Sequence, residues 1–349
     1  MSAPVIAVYG ATGHTGRLVA AELSAAGHDL LVAGRNADAL RALAADLDGS
    51  ARVRVAALDD PRALRAVTGD AAVVVNCAGP FAESGGPVAL AAVASGCHYL
   101  DHATEPFHVR HLFDTLDISA REAGSVVVPG MSFYGATGDL LAGLVADGLP
   151  RVDTVTVAYA VSGWRMTGGS KRTAQALAGA ERLVFADGAL RTARGGTRAT
   201  PFDFPEPVGR RVVLENYPAG EVVTIPRHVP TRAVDVLMTA DTFTEEGVFA
   251  AEHVGSSVRA GSAFVVVVRV GTADETRVGY VRGRDIYRVG AVAAAEAATR
   301  LADGRRPTHG GVLSASEAFG AADLLARLQQ RGAFTLSVQS SDARPAARP

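Results

Sequence analysis

The stretch Val5-Ile-Ala-Val-Tyr-Gly10-Ala-Thr-Gly13-His-Thr-Gly16 decides the fold of the first half of this chain. Its five apolar residues are typical of a buried strand, and the Ala- and Leu-rich segment that follows has helical spacing. Between them, Gly10 permits a tight bend, Gly13 lets the backbone approach a pyrophosphate, and Gly16 lets the helix pack closely on the strand. The amides at the start of the helix face negative charge. The stretch therefore predicts a strand, a phosphate-binding turn and a helix in succession.

The first half of the chain repeats this alternation of β-branched runs and helical segments, which is typical of βαβ units in a parallel sheet. The predicted strands are Val5–Tyr9, Asp29–Ala33, Val53–Ala56, Ala72–Asn76, His98–Asp101 and Ser125–Val128. The predicted helices are Thr15–Ala26, Asp38–Leu47, Pro61–Val67, Pro87–Ser95 and Pro106–Ala123. The fold class is therefore α/β, with residues 1–150 forming a doubly wound parallel sheet, a Rossmann domain.

After Pro150 the segments lengthen and alternate in polarity, which favours an antiparallel sheet. The predicted strands are Thr154–Val161, Arg211–Leu214, Glu221–Ile225, Ala263–Val270 and Thr276–Val281, and the predicted helices are Ser170–Ala180, Ala291–Ala302 and Ala315–Gln330. Residues 187–208 predict a long loop or lid. We expect an α+β substrate domain over residues 151–288, C-terminal helices over 289–335 that pack back on the Rossmann domain, and a frayed tail over 336–349.

Composition limits the classes of partner. The chain has 34 Lys plus Arg and 36 Asp plus Glu, and the basic residues are dispersed, which argues against nucleic-acid or anionic-membrane binding and favours a small-molecule substrate. Cys77 and Cys97 are too few for a disulfide framework and lack metal-ligand spacing, so we expect no metal. No long uninterrupted apolar stretch is present, and residues 1–4 lead directly into a strand, so we predict a cytoplasmic protein.

The end of the second predicted strand, Gly34-Arg35-Asn36, indicates which nucleotide the domain prefers. Sites that prefer NAD usually place an acidic residue here, against the ribose 2′-hydroxyl. Arg35 instead offers a planar guanidinium that can pair with a 2′-phosphate. We therefore predict NADP(H) as the cofactor. Asp59, after the third strand, either caps the helix that begins at Pro61 or accepts a hydrogen bond from the adenine amino group.

The segment Asn76-Cys-Ala-Gly79-Pro80-Phe81 follows the fourth strand, at the sheet edge where ligands of open α/β sheets collect. Its backbone either flanks the nicotinamide ribose or forms a rigid structural turn. The residues predicted to contact the cofactor are Gly10, Ala11, Thr12, Gly13, His14, Thr15, Gly16, Arg35, Asn36, Asp59, Ala78, Gly79, Pro80 and Phe81.

Several segments together resemble the saccharopine dehydrogenase-like oxidoreductase superfamily, in its branch of small oxidoreductases and trans-acting enoyl reductases. The resemblance implies a Rossmann domain, an α+β substrate domain inserted before the C-terminal helices, and pyridine-nucleotide chemistry. Two segments that should face the cleft, Gly130–Gly138 and Ala103–Glu105, depart from the pattern of that branch, so its substrates are not carried over. The segments that carry the resemblance are Gly10–Arg17, Val32–Arg35, Val74–Phe81, Gly86–Val88, Cys97–Asp101 with Glu105, and Gly311–Phe319.

Hydride transfer to a C=N, C=O or C=C bond needs a group that protonates or polarises the acceptor atom. His102 either relays a proton or is a satisfied loop histidine, and Asp101 either takes part or caps the next segment. Lys171, the only lysine, either binds a substrate carboxylate or phosphate or stays solvated. The predicted catalytic residues are Tyr99, Asp101, His102, Tyr134 and Lys171.

The sequence thus favours an NADPH-dependent oxidoreductase that reduces a small metabolite in a specialised biosynthetic pathway. One alternative is a catalytically silent NADPH-binding sensor or scaffold protein. Another is a non-redox enzyme, such as an epimerase that retains bound cofactor, because a fold alone does not determine a reaction. An exposed edge of the second sheet favours a homodimer.

Overall fold

The computed structural model describes residues 3–47, 50–177, 181–193, 197–245, 248–249 and 254–341. The strands are β1 (Val5–Tyr9), β2 (Asp29–Gly34), β3 (Arg52–Val55), β4 (Val73–Asn76), β5 (His98–Asp101), β6 (Val126–Val128), β7 (Val152–Ser162), β8 (Arg182–Ala186), β9 (Ala189–Ala193), β10 (Ala199–Asp203), β11 (Arg210–Leu214), β12 (Thr231–Thr239), β13 (Ala263–Gly271), β14 (Thr276–Arg284), β15 (Gly311–Val312) and β16 (Thr335–Ser341). The α-helices are α1 (His14–Ala25), α2 (Ala37–Asp46), α3 (Pro61–Gly69), α4 (Phe81–Ala94), α5 (Pro106–Glu122), α6 (Ala136–Val145), α7 (Gly168–Leu177), α8 (Glu221–Thr224), α9 (Ser256–Gly261), α10 (Ile286–Ala302), α11 (Ala315–Phe319) and α12 (Ala321–Gln330).

The first sheet has seven parallel strands in the order β15-β6-β5-β4-β1-β2-β3. Strand order runs outward in both directions from the boundary between β1 and β4, which is therefore the topological switch point where ligands of such sheets bind. The six strands predicted from the sequence are present, and each predicted end lies within one residue of the observed end. The predicted Rossmann-type fold is confirmed.

The second sheet is mixed, with strands in the order β10-β11-β12-β7-β13-β14-β16 and a β8–β9 hairpin that pairs with β12. β7 runs antiparallel to β13 but parallel to β12. The prediction of an antiparallel sheet is therefore wrong at the β7–β12 pair, and β12 itself was not predicted. The division of the chain into domains near residues 150, 288 and 335 stays a prediction.

Two predicted segments of the second half have a different structure. Glu221–Ile225 is not a strand, because Glu221–Thr224 forms α8 and continues into a 3-10 turn at Ile225–Arg227. Residues 187–208 are not a long loop, because they contain β9 and β10. Asp187 and Gly188, with φ values of 53° and 75°, form the two-residue turn between β8 and β9.

The C-terminal part also differs from its prediction. Thr335–Ser341 forms β16 and pairs with β14, so a frayed tail from residue 336 is wrong as far as Ser341. Residues 342–349 and residues 178–180, the end of one predicted helix, lie outside the described residues. The helix predicted over Ala315–Gln330 is interrupted at Gly320, whose φ of +71° ends α11 and starts α12.

A cluster of buried apolar residues extends continuously from the first sheet to the second. It includes Ile6 and Val74 in the first sheet, Leu140 in α6, and Val157 and Val266 in the second sheet. Helix α10 packs on α1 and β4, and α6 packs on β13 and α12. The two sheets therefore share one core. Within the part of the chain that the structure describes, no helix is long and apolar enough to cross a bilayer.

Candidate cofactor and active site

The glycine-rich turn between β1 and α1 lies at the switch point of the first sheet. Gly10 has a φ of +74°, a conformation that side chains disfavour. A Cβ on Gly10 would lie 2.8 Å from Ala78, and a Cβ on Gly16 would lie 2.7 Å from the Cα of Ala11. Gly13 is exposed, and no side chain caps the first amides of α1. This is the shape expected of a pyrophosphate site, and cofactor contacts remain a prediction for Gly10, Ala11, Thr12, Gly13, His14, Thr15 and Gly16.

Arg35, directly after β2, and Asp59, in the loop after β3, lie at the sheet edge where the adenosine of a nucleotide is expected. Both act on the hydroxyl of Tyr9: burial raises the pKa of Tyr9, the charge of Arg35 lowers it, and that of Asp59 raises it. Arg35 is exposed and makes no ion pair with any residue that the structure describes. Its guanidinium is therefore available to a ligand.

The neighbours of these two residues have structural roles. Asn36 caps α2, where its Oδ1 accepts a hydrogen bond from the Ala39 amide at 3.0 Å. The capping alternative for Asp59 is wrong, because the adjacent Asp60 caps α3. Asp59 is exposed and remains predicted as the acceptor for the adenine amino group.

The turn Ala78-Gly79-Pro80-Phe81 faces the glycine-rich turn across the switch point, and polar side chains hold its shape. Asn76 Oδ1 accepts from the Ala78 amide at 3.0 Å. Glu105, a buried carboxylate, accepts from the amides of Phe81 at 3.0 Å and of Thr104 at 2.9 Å. The predicted helix from Pro87 begins earlier, at Phe81, so the first turn of α4 starts next to the predicted nicotinamide position.

Asp101 is fully buried and accepts four hydrogen bonds. Its Oδ1 binds the amides of Ala103 at 2.9 Å and Gly130 at 2.7 Å, and its Oδ2 binds the Tyr99 hydroxyl at 2.9 Å and His108 Nε2 at 2.8 Å. Burial alone would raise the pKa of Asp101, but the bond and charge of His108 and the two amides hold it below its usual value. Asp101 therefore fastens the end of β5 to the loop after β6, and it is a poor proton donor.

The other two candidates, Tyr99 on β5 and His102 directly after it, have different surroundings. Tyr99 is fully buried between Asn76 and Asp101, and burial raises its pKa well above the usual range, so it belongs to the same structural network. His102 lies next to α10, where its Nδ1 would be 3.6 Å from a Cβ on Gly290. Burial lowers the pKa of His102 to about 4, so the imidazole is neutral at pH 7. A neutral imidazole can donate a hydrogen bond but holds no charge for a substrate.

Tyr134 lies in a cluster of aromatic rings between the two sheets. Its ring centroid is 5.1 Å from that of Tyr159, and 6.3 Å from those of Trp164 and Tyr217. The Tyr134 hydroxyl is buried and has no hydrogen-bond partner in the described residues. Since a buried polar atom normally has a partner, this hydroxyl is available to a bound molecule, as is His102 Nε2, which also has no partner in the described residues.

Tyr287, near the start of α10, connects the glycine-rich turn to the second sheet. Its ring contacts that of His14 at 4.7 Å. Its hydroxyl accepts from Trp164 Nε1 and the Thr167 amide, both at 3.1 Å, and donates to the Arg165 carbonyl at 3.0 Å. The segment before α7 is therefore held beside the cofactor turn by one side chain.

Helix α7, which this segment leads into, carries Lys171. The helix covers the Gly79 turn, since a Cβ on Gly79 would lie 3.7 Å from Thr173 Oγ1. Lys171 is half-buried and makes no ion pair with any described residue. Its role as an anion-binding group stays a prediction.

Replacing Tyr287 by Phe should release the segment that leads into α7. The ring and its contact with His14 are kept, but the hydroxyl that accepts from Thr167 is lost. We expect amide hydrogen exchange at Thr167 to become about tenfold faster, the effect of losing one hydrogen bond worth roughly 1.4 kcal/mol. Tyr280→Phe, on β14, is the control and should leave this amide unchanged; equal exchange in all three proteins would contradict the assignment.

Glu221 is a buried carboxylate that the sequence did not single out. It lies at the start of α8, where its Oε1 accepts from the Tyr159 hydroxyl and from the Gly135 amide. Burial raises the pKa of Glu221 to about 7. Sequence reasoning missed Glu221 because the run Glu-Val-Val-Thr-Ile favours a strand. A glutamate at the start of a strand is expected on the surface.

Comparison with known proteins supports the assignment of the first sheet as a dinucleotide-binding fold. Residues 6–128 match the family model described as "Saccharopine dehydrogenase NADP binding domain". A putative trans-acting enoyl reductase of Mycobacterium tuberculosis is 34% identical over 140 residues, which cover 39% of this chain and 33% of that protein. Another protein of that organism, named trans-acting enoyl reductase, is 30% identical over 208 residues, or 54% of this chain and 50% of the relative. The chain thus spans half or less of the length of these relatives.

The fold as a whole has a counterpart among solved structures. The apo histidine-tagged saccharopine dehydrogenase (L-Glu forming) of Saccharomyces cerevisiae superposes with a TM-score of 0.66 at 14% identity, covering 97% of this chain and all of that one. At that identity the likeness shows the fold alone. The family match over residues 6–128 agrees with the resemblance that the motifs indicated: this segment is similar to the NADP-binding domain of saccharopine dehydrogenases.

Proposed function

We propose that this chain is an NADPH-dependent oxidoreductase that reduces a C=N, C=O or C=C bond of a small metabolite in a specialised biosynthetic pathway. The observation that carries the proposal is the position of the aromatic cluster around Tyr134. Trp164 of this cluster donates a hydrogen bond to the Tyr287 hydroxyl, and the Tyr287 ring contacts His14 after the glycine-rich turn. A nucleotide bound in that turn would therefore end beside a group of aromatic rings that carries one unpartnered hydroxyl.

The residue that follows β2 supports NADPH over NADH. Arg35 is exposed, carries no ion-pair partner in the described chain, and follows β2 at the position that contacts the ribose 2′ group in this fold. Guanidinium groups pair with phosphates through charge-assisted hydrogen bonds, which are about twice as strong as neutral ones.

When bound, the reduced nicotinamide supplies a hydride. The residues of the chain supply position and a proton. Glu105 and Asn76 hold the turn over which the nicotinamide would lie, and Asp101 fixes the loop that carries Tyr134. In this arrangement Tyr134 donates a hydrogen bond to the acceptor atom of the substrate, and the surrounding rings exclude water from the reacting bond.

The Arg35→Ala variant tests the cofactor assignment. Loss of a charged hydrogen-bond partner of the 2′-phosphate removes about 1.5–3 kcal/mol, so NADPH binding should weaken at least tenfold while NADH binding stays the same. Fluorescence titration of both nucleotides measures this preference. Arg41→Ala, a substitution of an exposed arginine on the following helix, is the matched control. Equal binding of both nucleotides by the unaltered protein would contradict the NADP assignment.

Turnover separates the proposal from its alternatives. Oxidation of NADPH is followed by absorbance with panels of imines, ketones and enones. Net consumption of NADPH supports a reductase. Tight binding without consumption favours the silent sensor or scaffold, and product formation without net consumption favours a non-redox enzyme that retains its cofactor.

A further inference from the structure

His108 of α5 is a buried histidine that the proposed reaction does not use. Its side chain is 2% exposed, and its Nε2 lies 2.8 Å from Oδ2 of Asp101, whose side chain is fully buried. Helix α4 passes over the imidazole with no side chain between them, because a Cβ on Gly85 would lie 2.0 Å from Cε1 of His108. The imidazole therefore lies between the backbone of α4 and the end of β5.

The groups that face His108 favour its charged form. Burial alone would lower the pKa of His108, but the hydrogen bond and charge of Asp101 and the charge of Glu105 together raise it above its usual value. From α4, Gly85 has no side chain, and the Phe81 ring, with its centroid 6.3 Å from that of the imidazole, is apolar. The pair is thus an imidazolium and a carboxylate in a buried site, where little solvent screens their attraction.

Hydrogen bonds connect this pair to the turn Ala78–Phe81, over which the nicotinamide would lie. Oδ2 of Asp101, the oxygen that His108 contacts, also accepts from the Tyr99 hydroxyl at 2.9 Å. The Tyr99 hydroxyl accepts in turn from Nδ2 of Asn76 at 3.2 Å, and Oδ1 of Asn76 accepts from the Ala78 amide at 3.0 Å. Every step from the imidazole to the backbone of the turn is therefore a direct hydrogen bond.

The far end of this chain of hydrogen bonds sets the spacing of two turns. A Cβ on Gly10 would lie 2.8 Å from both the amide nitrogen and the Cβ of Ala78, so the turn Ala78–Phe81 is packed tightly against the glycine-rich turn. Ser84, in the first turn of α4, makes a second connection: its hydroxyl accepts from Nδ2 of Asn76 at 3.3 Å and donates to the Ala78 carbonyl. A displacement of Asn76 therefore changes the spacing of the turns that are expected to hold the nucleotide.

We propose that His108 is a positioning residue for the cofactor, and that its positive charge keeps the turn Ala78–Phe81 in the conformation that binds NADPH. The charge acts through the Asp101 carboxylate and the hydrogen bonds of Tyr99 and Asn76. The inference rests on the proposed NADPH binding. A neutral imidazole makes a weaker hydrogen bond to a carboxylate than an imidazolium does. The turn is therefore held less firmly when His108 loses its proton.

The sign of the pH dependence follows from the raised pKa of His108. The charged form is complete below the usual histidine pKa of about 6.5. It is lost as the pH rises through the higher value that His108 has in the folded protein. NADPH should therefore bind tightly below that value and more weakly above it.

The first test needs no nucleotide. NMR follows the imidazole signal of His108, assigned from its absence in His108→Gln, and the amide signal of Ala78 as the pH is raised. We expect the Ala78 signal to change with the same pH midpoint as His108. The change should be absent in His108→Gln, whose amide can still donate to Asp101, and present in His111→Gln, a control on the exposed side of α5. An Ala78 signal that does not respond as His108 titrates overturns the inference.

The second test is the affinity for NADPH as a function of pH. In the unaltered protein and in His111→Gln, binding should be about fivefold weaker above the His108 midpoint than below it, the difference between a charge-assisted and a neutral hydrogen bond. His108→Gln should bind weakly throughout and lack this step. Titration of the nucleotide phosphates acts equally on all three proteins, so the comparison removes it.

Reciprocal coupling gives a third readout. If the proton on His108 strengthens NADPH binding fivefold, saturating NADPH should raise the pH midpoint of His108 by about 0.7. Equal midpoints with and without bound NADPH overturn the inference. If NADPH binds at no pH, the proposed function fails instead, and the Ala78 signal of the free protein still decides whether His108 positions the turn.

Discussion

Gly16→Ala should strongly weaken nucleotide binding and lower the stability of the whole protein. The new methyl group would lie 2.7 Å from the Cα and 2.9 Å from the carbonyl carbon of Ala11, and closer still to the Gly10 carbonyl oxygen. All three are backbone atoms, so no side chain can move aside, and helix α1 must shift away from β1. Overpacking of this kind costs about 1–3 kcal/mol or more. We expect an unfolding free energy lower by about 3 kcal/mol, and NADPH affinity reduced at least about 100-fold.

Two other glycines separate the effects on folding and on binding. Gly13 is exposed, and a Cβ there meets only the Gly10 carbonyl oxygen, at 3.2 Å. Gly13→Ala should therefore unfold like the unaltered protein but bind NADPH weakly, because its methyl group occupies the approach to the pyrophosphate. Gly69→Ala, at the end of α3 with no atom within 4 Å of the new Cβ, should change neither property. Normal NADPH binding by Gly13→Ala would show that the pyrophosphate lies elsewhere.

Asp101→Ala should cause the second large loss, about 3–5 kcal/mol of unfolding free energy. Four donors would lose their acceptor in a fully buried site: two amides, the Tyr99 hydroxyl and His108. Removing one member of a buried charged network costs this much because the remaining groups stay desolvated without partners. Such a loss is a large part of the 5–15 kcal/mol typical of a folded protein. Urea denaturation followed by circular dichroism measures it.

The control for this substitution is Asp114→Ala, on the exposed side of α5. Asp114 pairs with Arg110, but its side chain is 59% exposed, so its removal should change stability by less than about 1 kcal/mol. If Asp101→Ala were as stable as the control, the network would not hold β5 and the Gly130 loop together, and Asp101 would again be a candidate for direct action on substrate.

The first sheet was predictable because its signals are local. Most of its strands are short apolar runs followed by a turn former, although β3 alternates arginine and valine. A steric reason predicts the glycines at 10, 13 and 16, and the structure confirms it for Gly10 and Gly16. The helix cap at α3 shows the limit of this precision, since Asp59 and Asp60 are equivalent in sequence and only the backbone geometry selects Asp60.

The second half was harder to predict for reasons specific to each segment. The β8–β9 hairpin had a usable signal, since Asp187-Gly188 is a dipeptide that favours a two-residue hairpin turn. Residues 221–224 had no such signal: all four side chains are buried, so no polar face marks the period of the helix. β12 pairs in parallel with β7 over a separation of about 80 residues, and local patterns do not report such pairing.

The chain passes between the two sheets three times: from α6 into β7, from β14 into α10, and from α12 into β16. A hinge motion that separates the two sheets would have to bend all three connections together and break the shared core. Entry of a ligand therefore requires a smaller displacement. Helix α7, which covers the Gly79 turn and has no buried residue, takes no part in these three connections.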